Sequence, residues 1–190
     1  MGNSPLRIIG GIYKGKKLSP FRGLNIRPPL DRIKESIFDI LHTQIKDTVV
    51  LDLFAGTGSL GIEALSRGAK TVVFVENNKT AISVLKRNLS MLPSLKGWEI
   101  IPLSVEKGLR ILEKRDLQFD IIFLDPPYRK GYFKKTMNIL AKSSLVKDNS
   151  IIVGREFYRE DIAPSYGILK VVDKRRYGDT IVFFIKKNKQ

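Results

Sequence analysis

The chain contains no cysteine. That absence excludes a disulfide framework, a thiolate zinc site and a cysteine nucleophile. Histidine is almost as scarce: His42 is the single one. It stands at the end of a helical pattern and reads as a satisfied or solvent-facing side chain, not as the base of a Ser-His-Asp triad. No apolar run approaches the roughly 18 residues of a membrane span, and the first residues carry no signal-peptide core, so a soluble, cytoplasmic protein is expected. Acidic residues are in short supply. Lys and Arg number 34 against 19 Asp and Glu, a net charge of +15.

What is present is a chain of 190 residues, 43% of them hydrophobic, enough to build a core in one domain with a small appendage. The positive charge is segregated. Residues 47–127 hold ten basic and ten acidic side chains, whereas residues 1–46 carry a surplus of six and residues 128–190 a surplus of nine. A neutral centre flanked by basic segments fits a small-ligand core with polyanion-binding edges, nucleic acid before membrane. The expected organisation is one unit: a basic arm or hairpin plus an amphipathic helix over 1–46, and the main domain over 47–190.

Periodicity alternates between strand and helix. Residues 7–18 alternate apolar and basic side chains around three glycines and read as one or two short basic strands or an extended arm. From Asp31, Ile33, Ile37, Ile40 and Leu41 form the stripe of an amphipathic helix, with Arg32, Lys34 and Glu35 expected on its exposed face. Strand patterns follow at 48–53, 71–75, 99–103, 119–124 and 150–153. Helical patterns fall at 58–67, 79–91, 105–114 and 133–141. Residues 168–174 and 180–186 flank Tyr177-Gly178-Asp179, a hairpin signal. This order predicts an α/β fold, a doubly wound and mostly parallel sheet with a C-terminal antiparallel hairpin.

The first strand runs into Asp52-Leu53-Phe54-Ala55-Gly56-Thr57-Gly58-Ser59-Leu60-Gly61. Glycines at a strand-to-helix turn allow a tight bend and a close approach of ligand to backbone. Glu76 ends the second strand, where a carboxylate can accept hydrogen bonds from the ribose hydroxyls of an adenosine. Gly56, Gly58 and Gly61 with Glu76 also match a dinucleotide fingerprint, so a nicotinamide-dependent dehydrogenase is a rival. Asp52 argues against it, because its carboxylate repels a pyrophosphate but suits an ammonium or sulfonium group.

The fourth strand empties into Asp125-Pro126-Pro127-Tyr128. Two prolines stop the sheet and fix a rigid extended turn. That turn offers a carboxylate, the Pro126 carbonyl and an aromatic face, a set suited to gripping a planar base through its exocyclic amine. Stacking on Tyr128 contributes ~1–3 kcal/mol. Together the two motifs point to methyl transfer from S-adenosylmethionine to an exocyclic base nitrogen, with the base drawn out of its stack. No metal is implied. An adenine-N6 methyltransferase and a non-catalytic RNA-binding or ribosome-assembly module stay open as alternatives.

Several further stretches carry a family resemblance. They are Arg7-Ile8-Ile9-Gly10-Gly11 with Lys14-Gly15-Lys16, Arg27-Pro28-Pro29-Leu30-Asp31-Arg32, Lys34-Glu35-Ser36-Ile37-Phe38, Leu65-Ser66-Arg67-Gly68-Ala69 and Arg176-Tyr177-Gly178-Asp179-Thr180. With residues 52–61 and 125–128, they make the chain resemble the RsmD-like 16S ribosomal RNA guanine-N2 methyltransferases. The resemblance implies a Rossmann-like class I S-adenosylmethionine-dependent methyltransferase fold, acting on ribosomal RNA, free or carrying ribosomal proteins, as a monomer. It implies that Asp52, Gly56, Gly58 and Glu76 hold the cofactor, with Ser104 and Val105 beside the adenine; Phe54 and Asn77 are counted with them. Asp125, Pro126 and Tyr128 would hold the guanine. Lys130, Lys134 and Lys135, with Arg129, would rim the pocket and hold phosphates, and Arg7, Lys14, Lys16 and Lys17 would make a second RNA contact. The chain departs from the family's usual residues at Pro29, at Ser104 and at Val153-Gly154-Arg155-Glu156.

Overall fold

A computed structural model describes residues 6–20, 31–128 and 130–188. Eight strands form one sheet: β1 (Val49–Leu53), β2 (Thr71–Val75), β3 (Trp98–Ile101), β4 (Phe119–Leu124), β5 (Val146–Phe157), β6 (Ser165–Tyr166), β7 (Leu169–Tyr177) and β8 (Thr180–Lys187). Their order across the sheet is β3-β2-β1-β4-β5-β8-β7-β6. The first five are mutually parallel, and β8 pairs antiparallel with both β5 and β7. Strands β1, β2 and β4 and the middle of β5 are almost continuous apolar runs, as sheets covered on both faces require.

Helices cover both faces. On one side lie α1 (Asp31–Ile40), α2 (Ser59–Ser66) and α3 (Lys79–Ser90); on the other lie α4 (Val105–Lys114) and α5 (Tyr132–Leu140). Alternate strand residues feed the two cores: Ile121 and Phe123 join the first cluster, Ile122 and Leu124 the second. Each such buried side chain contributes ~1.5–3 kcal/mol of transfer free energy.

Two expectations are corrected. Residues 7–18 form no strand; the segment is a loop closed by a single bridge between Arg7 and Lys17, with a 3-10 turn at Gly11–Tyr13. It is bolted to the core: the Ser66 hydroxyl donates to the Gly10 carbonyl and accepts from the Tyr13 amide, and Asn88 of α3 accepts from the Ser19 amide. A side chain at Gly11 would collide with the Ser66 carbonyl. Lys34 is not on an exposed face. It is fully buried, pairs with the fully buried Glu63 of α2 at 3.1 Å and donates to the Arg7 carbonyl. Its aliphatic stem packs like an apolar residue and its ammonium is satisfied inside the protein, so α1 buries Ile33, Lys34, Ile37 and Phe38, with Ile40 only partly covered.

Smaller differences are at the ends of elements. Strand β5 is twelve residues long, not four, and β6 carries no signal in the sequence. Arg27, Pro28 and Pro29 lie outside the described residues, as does Arg129.

Candidate active site

The sheet changes winding direction between β1 and β4, and their carboxyl ends open a crevice, the usual ligand position in such folds. Leu53 pairs with Leu124, so the bend after β1 and the elbow after β4 lie side by side. Both line one cavity of about 880 Å³.

The glycine bend forms the cavity floor. Phe54 turns through the left-handed region at φ 58°, an unusual conformation for a side-chain-bearing residue. Gly58 follows at φ 81° and caps α2; a Cβ there would strike Leu85, and one at Gly61 would strike Phe74 and approach the Asp52 Oδ2 within 2.9 Å. Gly58 therefore acts through its backbone and does not line the cavity, whereas Gly56 does. Asp52 is buried and accepts from the Gly61 amide at 2.9 Å. Burial, with Asp125 and Glu76 adding repulsion, pushes its carboxyl up to about 8.

Glu76 accepts from three backbone amides, those of Gly56, Asn77 and Asn78, each at 2.8 Å. Three of about four acceptor positions are thus in use, leaving capacity for a ribose hydroxyl. Asn77, Ser104 and Val105 complete this half of the cavity. Opposite them, the Phe54 ring meets Tyr132 at 5.6 Å. The residues suit an adenosyl sulfonium. The Ser59 hydroxyl is buried in the same lining with no partner among the described residues, and a polar ligand at the bend would satisfy it.

The elbow forms the other half. Asp125, Pro126 and Tyr128 all line the cavity. Across from them stands Arg155 of β5, which lines the cavity although the chain's sequence patterns do not single it out as a site residue. Its Nε and a terminal nitrogen donate to Asp125 Oδ1 and Oδ2, both at 2.7 Å. Arg155 is buried, which alone would lower its pKa, but Asp125 and Tyr128 more than offset this and raise it. The Tyr128 hydroxyl hydrogen-bonds the Thr180 hydroxyl at 3.0 Å, and burial raises its pKa. Thr180 opens β8, so the hairpin supports the elbow. The same turn reaches further: the Tyr177 and Ser36 hydroxyls are hydrogen-bonded, and the Tyr158 amide donates to the Asp179 carbonyl. Glu156, beside Arg155, is buried, and desolvation pushes it up to about 7.

The basic candidates divide. Lys130 and Lys135 line the cavity; Lys134 is exposed on α5 outside it. Lys135 is paired with Glu106 of α4 at 2.5 Å, across the mouth. Lys14, Lys16 and Lys17 are exposed on the loop, and Arg7 is paired with Asp31 at 2.7 Å. The loop also contributes Leu6 and Pro20 to the cavity wall, which no reading of its charges anticipates.

The chain is similar to known proteins. The profile of a family described as conserved hypothetical protein 95 matches residues 6–186. The chain is 40% identical over 150 residues to the ribosomal RNA small subunit methyltransferase D of Haemophilus influenzae, covering 77% of this chain and 76% of that one. It is 33% identical over 151 residues to the protein of the same name from Escherichia coli, covering 80% and 74%. The solved structure of Escherichia coli yhhF superposes with a TM-score of 0.84 at 28% identity, covering 98% of this chain and all of that one.

Proposed function

Since the chain belongs to the conserved hypothetical protein 95 family, the RsmD-like methyltransferases, we propose that it methylates the exocyclic N2 amine of a guanine in small-subunit (16S) ribosomal RNA, using S-adenosylmethionine. The dehydrogenase alternative falls away with that membership. One observation carries the reading: the acceptor pair of the elbow and the carboxylates of the glycine bend face one cavity from adjacent strands.

Bound at the bend, S-adenosylmethionine supplies a methyl group on a sulfonium with a neutral thioether as leaving group. The chain supplies position and charge. Asp52 offers negative charge to a cationic ligand that displaces its proton, and Glu76 offers a ribose acceptor. At the elbow, Asp125 and the Pro126 carbonyl accept the two hydrogens of the amine, which aims the nitrogen lone pair, and the proton released on methylation passes to Asp125, the nearest acceptor. Tyr128 stacks on the base. Arg155 holds the Asp125 carboxylate by a two-pronged bond, so the acceptor does not swing with each base that enters. Each carboxylate oxygen keeps a second acceptor position for the substrate.

The test is incubation with methyl-labelled S-adenosylmethionine and small-subunit ribosomal RNA, naked and in particles, followed by digestion to nucleosides. N2-methylguanosine is expected; N6-methyladenosine would replace this reading with the adenine one. Asp125→Ala should lower transfer by about 10²–10³ and, by leaving the buried Arg155 guanidinium without its carboxylate, should also lower the melting temperature. If that variant kept wild-type transfer, the elbow would not be the base site.

A further inference from the structure

On the rim, a chain of rings leads away from the elbow. Tyr128 lies 6.3 Å from Phe157, and Phe157 lies 4.8 Å from Tyr158 at an interplanar angle of 60°. Tyr158 then carries two guanidinium groups: Arg176 from β7 at 4.1 Å from the ring centroid, and Arg159 at 5.1 Å. The Arg159 Nε donates to the Tyr158 hydroxyl at 2.6 Å, and the Arg176 Nε to the Gly178 carbonyl at 2.9 Å. Among the described residues, neither arginine has a carboxylate within 4.0 Å, although Glu160, Asp161 and Asp179 are close in sequence. Asp173 is committed to Arg175 at 3.0 Å.

Resting on the reading of the cavity as a base-receiving pocket, we propose that Tyr158, Arg159 and Arg176 form a phosphate bracket for the unpaired nucleotide next to the target base. Two cations on one ring repel each other, and an exposed pair of this kind is ordinarily offset by an acidic neighbour. Here the ring holds both by cation–π attraction, and the Nε bonds restrain each guanidinium while leaving its terminal nitrogens for an anion. A phosphodiester, with its oxygens in reach of forked donors, is the anion that geometry fits. The rings between bracket and pocket supply the stacking surface that an unpaired strand needs and a carboxylate-bearing peptide does not. The bond from the Tyr158 amide to the Asp179 carbonyl, at 3.0 Å, ties the bracket to the hairpin turn, so binding orders little. The strand thus leaves the pocket over the end of β5.

The experiment is fluorescence anisotropy with a labelled 12-nucleotide single-stranded RNA containing one guanine, titrated at several salt concentrations. R159Q/R176Q should weaken binding about tenfold or more at low salt and reduce the logarithmic salt slope by about 1.4, two single-strand phosphate contacts at about 0.7 each. Y158L, which keeps every charge, should also weaken binding. K170Q/K174Q, with the same loss of charge elsewhere on β7, should change binding less than about twofold. Affinity for S-adenosylhomocysteine should stay unchanged in all three, which checks that the cavity is intact. Wild-type binding and slope in R159Q/R176Q would overturn the bracket, as would an equal loss in K170Q/K174Q. Displacement of the RNA by an acidic peptide of matched charge at equal concentration would overturn it in favour of a protein partner. If the wild type binds as described but yields no methylguanosine, the base reading fails and the bracket stands; if it methylates and the variants bind normally, only the bracket fails.

Discussion

Among the described residues, one backbone amide hydrogen-bonds the Asp52 carboxyl, and its titration is therefore a measurable property of the fold. Its folded value of about 8 lies above the ordinary 3.8. Between those values the folded chain keeps a proton that the unfolded chain has released, so stability falls as pH rises through this window. Glu156, at about 7, has the same sign. Melting curves from pH 5 to 9 should show Asp52→Asn gaining on the wild type as pH increases; a constant difference would mean that Asp52 does not titrate there. A cationic ligand at the bend should expel the same proton, seen by calorimetry in two buffers of different ionisation enthalpy. For Arg155, the forked bond to Asp125 is expected to matter more than the charge. Arg155→Met should lower methyl transfer about 10²-fold and Arg155→Lys should fall between, while affinity for S-adenosylhomocysteine is unchanged.

The order of strands and helices was readable in the chain because buried parallel strands are long apolar runs and helices show a 3.6-residue stripe. The glycine bend and the proline elbow were readable for a related reason: each is a contiguous motif whose chemistry is local. Three features escaped. Strand β5 opens with Lys147, Asp148 and Asn149, polar residues that hide a strand lengthened at both ends. Lys34 counts as polar in any periodicity, yet its ammonium finds Glu63, twenty-nine residues on. Arg155 reaches Asp125 across two strands and thirty residues, a distance that no spacing rule spans. The buried Lys34–Glu63 pair gives a prediction for α1 and α2 together. Lys34→Met leaves Glu63 with Arg67 and the Ile9 amide as partners, and should cost about 3–5 kcal/mol by denaturant unfolding. K34M/E63Q, which removes the excess buried charge and keeps an acceptor for the Ile9 amide, should recover part of that loss. Thr180→Val tests the hairpin's support of the elbow: kcat should fall several-fold with little change in melting temperature.

Across the molecule, the basic surplus of residues 1–46 and 128–190 is divided between surface and interior. Lys14, Lys16 and Lys17 face solvent on a loop rigidly fixed to α2 and α3, while Lys34 and Arg155 are spent inside. RNA affinity of the intact protein should therefore drop steeply with salt; an affinity unchanged from 50 to 300 mM would remove the surface lysines from the binding account. Among the described residues no helix is long and apolar enough to cross a membrane.

Strand β8, the last of the eight strands in chain order, is inserted between β5 and β7. During translation the sheet must stay incomplete until that strand emerges, with β5 presenting an open edge that includes Arg155. Thr180 arrives with that strand, so the elbow acquires its brace only after the rest of the sheet has been made. A version stopped at Gly178 should accordingly aggregate through its bare edge rather than persist as a partly competent enzyme.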